Sequence, residues 1–274
     1  MTKLSDATFI IPLRIDSEDR VRNIITTVGF ILETFNAKVI VKEVDSQPLF
    51  SKYALPQIIE YVEDQDKISN LRHVFEESED SVFYRMQIIN EMLSMVENDI
   101  VFNYDCDVLL NVETYEKSAQ MIRDGYDIVY PYGFGNYQKQ VHANDEVVSE
   151  FLNTLDFSVL DSNSTIFDAQ YGHVQVLNKK SYFSAGMENE NFRGSSPEDK
   201  ERFYRFTKLG YNVGRIDEYV YHLEHSRGVN SWPISAQKNP YMQSNFSLWE
   251  QIQEMTTEQL KEYYQNQKYL EKYK

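Results

Sequence analysis

The sequence predicts an α/β fold in which a parallel sheet is flanked by helices, and three observations lead to this prediction. Residues 8–12 form a short apolar run typical of a buried strand, and residues 38–43 form a second one. Between these two runs, apolar residues recur at helical spacing from Val21 to Phe35. A strand, a helix and a strand within about forty residues make a βαβ unit, which requires parallel strands.

The first half of the chain continues this alternation of helices and strands. Ser17 is placed to cap the first helix, and Asn36 is placed to end it. Gly125 would close a later helix in the same way. Further helices are predicted at residues 54–62, 86–96 and 112–122. Further strands are predicted at residues 71–75, 100–109 and 127–130.

The second half is less regular. Residues 133–169 show little periodicity, and we expect a long, partly helical excursion there. Strands are expected at residues 174–177 and 219–221, with a helix between them that ends at Gly210. Thr256 and Gln259 form the pattern of a capping box at the start of a C-terminal helix. We expect a single fused domain made of a first half (1–132), a second half (133–245) and a helical tail (246–274).

The composition narrows the possible partners. The chain has 274 residues, of which 42% are hydrophobic, and this is enough for one large domain. A net charge of -16 would be repelled by nucleic acids and by anionic membranes, so we expect neither as a partner. The single cysteine, Cys106, excludes an intrachain disulfide and fits a reducing compartment. Because no run has the length of a membrane span and no apolar signal core is present, we expect no integral membrane segment and a cytoplasmic location.

Two carboxylates stand at the end of a strongly apolar run. Asp105 and Asp107 follow residues 100–104, and side chains at i and i+2 of a strand leave on the same face. Open α/β sheets bind their ligands at the carboxyl ends of strands, and paired carboxylates suit a divalent cation that also holds phosphates. Asp64 and Asp66 have the same spacing but lie in a polar stretch, so we expect a solvated turn there.

The loop after the first strand is a second candidate. Pro12, Arg14 and Asp16 lie where such a loop meets its ligand, and the planar guanidinium of Arg14 would suit phosphate oxygens. The alternative is a surface loop in which Asp16 or Ser17 caps the following helix. The sequence leaves both readings open.

Other polar side chains are placed to contact a nucleotide. Glu43 and Asp45 end the second strand, where an acid can accept from a base imide or from ribose hydroxyls. Ordinary loop chemistry explains these two acids equally well. Arg85 opens the helix before the acidic strand and would close over a nucleotide, unless it is a surface arginine that pairs with a nearby glutamate.

Glu198 and Asp199 precede a helix and have two interpretations. Ser196 as the N-cap, Pro197 at the first helical position and acids in the first turn make a strong helix start. Capping accounts for only one acid, however, and the pair also fits a general base that faces a cleft.

Two histidines within four residues suggest a metal site. His222 and His225 follow the strand at residues 219–221, and an imidazole can complete the coordination of manganese beside carboxylates. The alternative is that His222 is a core residue satisfied by hydrogen bonds. Zinc is disfavoured, because strand alternation would turn Cys106, the only thiol, away from the two aspartates.

Taken in order, these residues resemble the GT-A glycosyltransferases. The nearest groups are galactosyl- and N-acetylgalactosaminyltransferases of the chondroitin-polymerase-like and β-1,4-galactosyltransferase-like kinds. The resemblance extends from Ile10 to about Ser231. It rests on an ordered set of segments: residues 11–14, residues 83–85 with Asn90, residues 104–107, residues 186–194, Glu198 with Asp199, and residues 222–225.

The resemblance implies a Rossmann-like mixed sheet and a metal-dependent, inverting transfer of a hexose or N-acetylhexosamine from a UDP-sugar to a glycan acceptor hydroxyl. Residues 1–132 would then bind the nucleotide, and residues 133–245 would bind the acceptor. Asp199 would be the catalytic base, with Glu198 and Gly194 at the acceptor. The implied Mn²⁺ (or Mg²⁺) ligands are Asp107, Asp105, His222 and His225, and the implied nucleotide contacts are Pro12, Arg14, Asp16, Glu43, Asp45, Arg85 and Asp105.

The chain departs from the family pattern at two places. The family usually has Trp and Gly before its Glu-Asp pair, whereas this chain has residues 193–197 (RGSSP), which leaves the sugar and acceptor undetermined. The second strand ends in residues 43–45 (EVD) rather than in an acid followed by Gly and Ser. The alternatives are an inactive carbohydrate-binding protein on the same fold and a sugar nucleotidyltransferase, although residues 12–20 lack the Gly-rich loop with a lysine that the latter needs. The oligomeric state is not determined by the sequence.

Overall fold

The computed structural model describes residues 4–227 and 234–273, so the end of the family resemblance near Ser231 lies outside the described residues. The strands, in chain order from β1 to β11, are Ala7–Leu13, Lys38–Asp45, Leu71–Glu77, Ile100–Tyr104, Val108–Leu110, Ile128–Tyr130, Gly135–Val141, Ser164–Ala169, Val174–Asn178, Val213–Arg215 and Val220–Leu223. The helices, from α1 to α12, are Glu18–Thr34, Leu55–Tyr61, Gln65–Ile68, Arg85–Met95, Val112–Arg123, Asp145–Thr154, Phe157–Ser162, Lys179–Ser184, Glu198–Lys208, Ile234–Lys238, Met242–Glu254 and Thr257–Gln265.

The strands form two sheets. The larger has seven strands in the order β10-β6-β9-β4-β1-β2-β3, and only β9 runs antiparallel to its neighbours. The smaller has four strands in the order β5-β11-β7-β8, with parallel pairing between β11 and β7 and antiparallel pairing elsewhere. The predicted βαβ start is confirmed, since β1 pairs with β2 and with β4 in parallel.

The first helix forms as its sequence predicts. The Ser17 hydroxyl accepts from the backbone N–H of Arg20 at 3.3 Å, and Glu18 and Asp19 lie in the first turn, where acids favour the helix dipole. The helix ends at Thr34 with Phe35 as its C-cap, one residue before the predicted stop at Asn36. Its buried face packs beside the central sheet, in which the rings of Phe9 and Phe102 stack with centroids 4.3 Å apart.

Residues 133–169 differ most from the sequence prediction. The sequence predicts a long, partly helical excursion, and helices α6 and α7 are present, but they lie between two strands, β7 and β8, that were not predicted. Strand β7 is central to the smaller sheet, because it pairs with β11 on one side and with β8 on the other. Its partner β11 is about eighty residues away in the sequence, so local periodicity carries little information about this pairing.

The start of helix α9 also differs. Its N-cap is Pro197 rather than Ser196, and no side chain caps the helix. The Pro197 carbonyl instead accepts from the N–H groups of Lys200 (3.0 Å) and Glu201 (3.1 Å). The predicted capping box of Thr256 is confirmed, and it begins the last helix.

The C-terminal tail packs onto the segment that leads to α9. The Tyr264 hydroxyl donates to Glu201 at 2.5 Å, and the Tyr269 hydroxyl donates to the Gly186 carbonyl at 3.0 Å. Asn245, which is fully buried, donates to the carbonyls of Arg193 and Ser196. In the described part of the chain, none of the helices combines the length with the apolar composition that crossing a membrane requires.

Candidate active site

The two aspartates lie in a turn rather than in the strand. Strand β4 ends at Tyr104, and Asp105 to Asp107 form a tight connection to β5. The connection is fixed on both sides, because the Asp105 N–H donates to the His173 carbonyl at 2.9 Å and the Leu223 N–H donates to the Asp107 carbonyl at 2.8 Å. Asp105 and Asp107 both line one cavity of about 320 Å³ at the carboxyl end of β4.

One wall of this cavity holds a compact set of possible metal ligands. Asp107, His222 and His225 each offer one atom, and these atoms lie within 4.8 Å of one another. The His222 Nε2 is 3.7 Å from Asp107 Oδ1, and the His225 Nε2 is 3.4 Å from Asp107 Oδ2. All three residues are buried. Residues about 115 positions apart therefore converge because β11 pairs directly with β5.

The protonation states of this wall suit a divalent cation. Burial lowers the pKa of His222 to about 3 and also lowers the pKa of His225, so both imidazoles are neutral near pH 7 and are not ion-paired with the aspartate. Burial raises the pKa of Asp107, but the combined positive charge around it, to which Arg20 contributes most, lowers this pKa to about 2. A carboxylate with two neutral imidazoles is a donor set that Mn²⁺ accepts.

Arg20 was not among the residues predicted from the sequence. Its guanidinium donates to Asp107 Oδ2 and to Cys106 Sγ (3.2 Å), and its Nε is 3.7 Å from Asp16. Arg20 lies in the first turn of α1, four residues after Asp16. The start of this helix lies at the same edge of the sheet as the end of β4, and this position could have indicated that Arg20 belongs to the site. Cys106 therefore faces an arginine, and its burial raises the pKa of the thiol to about 12.

The lining of the same cavity also includes the second acid pair, Glu198 and Asp199. Asp199 Oδ1 accepts from Arg202 Nη1 at 2.8 Å and lies 3.7 Å from Arg85 Nη1. Arg85 Nη2 also donates to Asp105 Oδ1 at 2.6 Å, so this guanidinium links the two acidic segments. Arg202 is fully buried and also pairs with Glu188 at 2.8 Å, which holds the first turn of α9 in place.

Glu198 differs electrostatically from the acid beside it. The residue is 5% exposed, and burial, followed by the charge of Asp199, raises its pKa to about 8. Its Oε2 has no hydrogen-bond partner among the described residues, and neither has the hydroxyl of Ser195, which lines the same cavity. Buried polar atoms without partners are uncommon in proteins, so these two are candidates for contact with a ligand.

We expect Glu198 to make the metal-free protein less stable as the pH rises. Its pKa is about 8 in the folded state against an ordinary 4.5, so its contribution is fully present below about pH 4.5 and is lost as the pH rises to about 8. Glu198→Gln keeps the shape of the neutral acid and should flatten this loss. Urea unfolding near pH 5 and about pH 8.5 measures the effect, and a parallel loss in both proteins would contradict it.

The end of β1 and the loop after it contribute the predicted Pro12, Arg14 and Asp16 to the same cavity. Arg14 links the end of β2 to the loop after β3, because its Nε donates to the Val44 carbonyl and its Nη1 to the Asp80 carbonyl, both at 2.9 Å. The third nitrogen, Nη2, is buried and has no hydrogen-bond partner in the described part of the chain.

The structure does not bring three of the predicted residues into the cavity. Glu43 is fully buried, and its carboxylate contacts His73 at 2.9 Å and accepts from the Phe50 N–H at 2.8 Å. The reason is that β2 extends to Asp45. Glu43 therefore lies within the strand rather than at its end, and its side chain packs against neighbouring side chains. The carboxylate of Glu43 therefore lies outside the cavity lining, and its nucleotide contact stays a prediction.

Asp45 and Gly194 have supporting positions outside the cavity lining. Asp45 accepts from the Ile15 N–H at 3.0 Å and so braces the loop after β1. Gly194 has a φ of +78°, and a Cβ added there would lie 2.6 Å from Asn239 Nδ2. Because glycine has no Cβ, the backbone at Gly194 can lie this close to the Asn239 side chain. The next residues, Ser195 and Ser196, line the cavity.

His173 and Gly172 also line the cavity and were not predicted from the sequence. His173 immediately precedes β9, and β9 runs antiparallel to β4, with Tyr104 opposite Val174. The start of β9 therefore lies beside the end of β4. This position follows from the sequence only if β9 is recognised as the one reversed strand of its sheet.

The fold is similar to solved structures of glycosyltransferases. GalNAc-T7, solved with UDP, GalNAc and Mn²⁺, matches 81% of this chain and 44% of its own chain, with 11% identity and a TM-score of 0.55. The mannosyltransferase PcManGT from Pyrobaculum calidifontis, solved with GDP-Man and Mn²⁺, matches 85% of this chain and 61% of its own, with 15% identity and a TM-score of 0.52. These similarities confirm the predicted GT-A fold, a mixed α/β sheet flanked by helices.

The chain spans less than two thirds of the length of either solved structure. No family model matches the sequence, and neither does any curated protein. At these identities the similarity establishes the fold, and the activity has to be argued from the site.

Proposed function

We propose that this protein is a metal-dependent glycosyltransferase that moves a hexose or N-acetylhexosamine from a UDP-sugar to a glycan hydroxyl with inversion. One observation carries the proposal. A single cavity has Asp107, His222 and His225 on one wall and Glu198 with Asp199 on another. The two similar structures, which hold Mn²⁺ with UDP or GDP-Man, support the choice of metal and donor class.

Asp107, His222 and His225 would hold Mn²⁺ or Mg²⁺. Both imidazoles present Nε2 to the aspartate, and Asp107 Oδ1 faces His222 rather than Arg20. A bound divalent cation would neutralise the diphosphate leaving group, which a chain of net charge -16 would otherwise repel. Asp105, 2.6 Å from Arg85, is placed for the ribose or for the metal.

The nucleotide would lie along the loop after β1. Arg14 lines the cavity with Pro12 and Asp16, and its Nη2, which has no hydrogen-bond partner among the described residues, would donate to the nucleotide of the donor. Arg85 supplies positive charge between Asp105 and Asp199. These residues together offer hydrogen-bond donors that an anionic nucleotide requires.

Asp199 would accept the proton of the attacking acceptor hydroxyl. Arg202 and Arg85 orient its carboxylate, and 30% of the side chain remains exposed to the cavity side. Glu198, whose pKa is raised to about 8, is protonated near pH 7 and can donate a hydrogen bond to an acceptor oxygen. A general base in the same cavity as the metal ligands would allow direct displacement by the acceptor hydroxyl, which inverts the anomeric carbon.

Thermal unfolding with a panel of nucleoside diphosphates, each with and without Mn²⁺, tests the proposal. UDP with Mn²⁺ at about one hundred times its dissociation constant should stabilise the protein by about 2.7 kcal/mol, which raises the melting temperature by about 5–10 °C. UDP alone should have little effect. A result in which no nucleoside diphosphate stabilises the protein in the presence of Mn²⁺ would refute the proposal.

Release of UDP from UDP-sugars separates the enzyme from an inactive carbohydrate-binding protein on the same fold. The enzyme should hydrolyse its donor slowly in the presence of Mn²⁺, because water can replace the acceptor. A protein that binds UDP and Mn²⁺ yet hydrolyses none of the UDP-sugars would favour the inactive alternative.

A further inference from the structure

Two glutamines on strand β7 connect the histidines of the cavity. Gln138 and Gln140 alternate along the strand, so their side chains leave on the same face. The His222 Nδ1 lies 3.0 Å from Gln140 Oε1, and Gln138 Nε2 donates to the same oxygen at 2.9 Å. The His173 Nε2 lies 2.9 Å from Gln138 Oε1. Both glutamines are at most 9% exposed.

These contacts determine which nitrogen of His222 carries the proton. An amide oxygen can only accept, so the His222 Nδ1 must donate to Gln140. The proton is therefore absent from Nε2 of the neutral ring. The 3.7 Å between His222 Nε2 and Asp107 Oδ1 agrees with this, because it is too long for a hydrogen bond from an Nε2–H group.

The second glutamine fixes the orientation of the first. The Gln140 oxygen accepts from both His222 and Gln138. If the amide of Gln140 alone were rotated by half a turn, its NH₂ group would replace the oxygen and face these two donors. Gln138 is held in turn because its oxygen accepts from His173. The neighbouring ligand His225 needs no such side chain, because its Nδ1 donates to the backbone carbonyl of Ser226 at 2.7 Å.

We propose that Gln140, braced by Gln138, is a positioning residue that keeps the Nε2 lone pair of His222 directed at the metal site. This proposal rests on the metal site of the proposed function. A metal ligand must present an unprotonated nitrogen, and the partner of the other ring nitrogen fixes both the tautomer and the ring orientation. The strand β7 therefore contributes to cation binding without contacting the cation.

The test compares Gln140→Leu, which removes the acceptor at similar volume, with Gln140→Glu, which retains an acceptor. Imidazole ¹⁵N chemical shifts of the metal-free protein report the tautomer of His222, and the signal of free Mn²⁺ in electron paramagnetic resonance reports affinity without nucleotide. The wild-type protein should show the Nδ1–H tautomer. Gln140→Leu should lose this preference and bind Mn²⁺ about 10- to 100-fold more weakly, whereas Gln140→Glu should keep both properties.

Gln120→Leu on the exposed face of α5 is the matched control and should change neither readout. An Nε2–H tautomer of His222 in the wild-type protein, or wild-type Mn²⁺ affinity in Gln140→Leu, would overturn the proposal. If the tautomer follows Gln140 but the wild-type protein binds no Mn²⁺, the proposed function fails while the assignment of Gln140 to the imidazole stands. The two failures are therefore distinguishable.

Discussion

We expect Asp199→Asn to lower turnover by about 10²–10⁴-fold while the donor KM stays unchanged, since general-base catalysis contributes roughly this factor. The amide keeps the shape of the side chain but cannot take the acceptor proton. Because Asp199 contacts Arg202 and Arg85, an amide oxygen in the same position can keep the first turn of α9 in place. Steady-state kinetics with UDP-sugar and an acceptor identified by screening measures the effect.

Asp217→Asn is the matched control, because it makes the same chemical change at an exposed position outside the cavity lining. It should leave turnover unchanged. An Asp199→Asn variant with wild-type turnover would remove Asp199 from the role of base. An equal loss in binding of UDP and in turnover would instead indicate that the substitution disturbs the donor site.

Asp107→Ala should abolish the Mn²⁺-dependent binding of UDP. The carboxylate is the only anionic member of the Asp107, His222 and His225 set, and two neutral imidazoles alone hold a hard divalent cation weakly. The about 5–10 °C shift expected for the wild-type protein with UDP and Mn²⁺ should fall to near zero. Isothermal calorimetry of UDP with and without Mn²⁺ provides the second measurement.

The matched control for this prediction is Asp66→Ala, taken from the second Asp-x-Asp sequence, where Asp66 is exposed. It should keep the full metal-dependent shift. Asp107→Ala also removes the partner of Arg20, so the comparison uses the difference between metal-containing and metal-free samples rather than the absolute melting temperature. An equal UDP affinity with and without Mn²⁺ in the wild-type protein would contradict the assignment.

Much of the fold could be predicted because its signals are local. The βαβ start, the cap at Ser17 and the capping box at Thr256 each depend on residues within one helix or strand. Residues 133–169 could not be predicted in this way, because β7 finds its partner β11 about eighty residues later and β8 forms the edge of the same sheet. The helix start at Glu198 differed for a similar reason, since the long-range contacts of Asn245 fix the chain before it.

The residues of the candidate site also fall into those with a local signal in the sequence and those whose role depends on long-range contacts. Asp105, Asp107, Glu198, Asp199 and the two histidines were identified from residue type and position at the ends of strands and helices. Glu43 lies outside the cavity lining because β2 extends two residues beyond it, and the length of a strand is not a local signal. Arg20, His173 and Gln140 were missed because their roles depend on the partners that the fold brings to them.

The sequence by itself determined the α/β class, the order of most helices and strands, and the chemical types of side chain available for metal and proton transfer. These follow from periodicity and capping, which act over a few residues. Only the tertiary structure decided which of these side chains share a cavity, which nitrogen of His222 faces Asp107, and that Glu198 is buried enough to hold a proton near pH 7. The physical reason is that burial, strand pairing and pKa depend on neighbours that lie far apart along the chain.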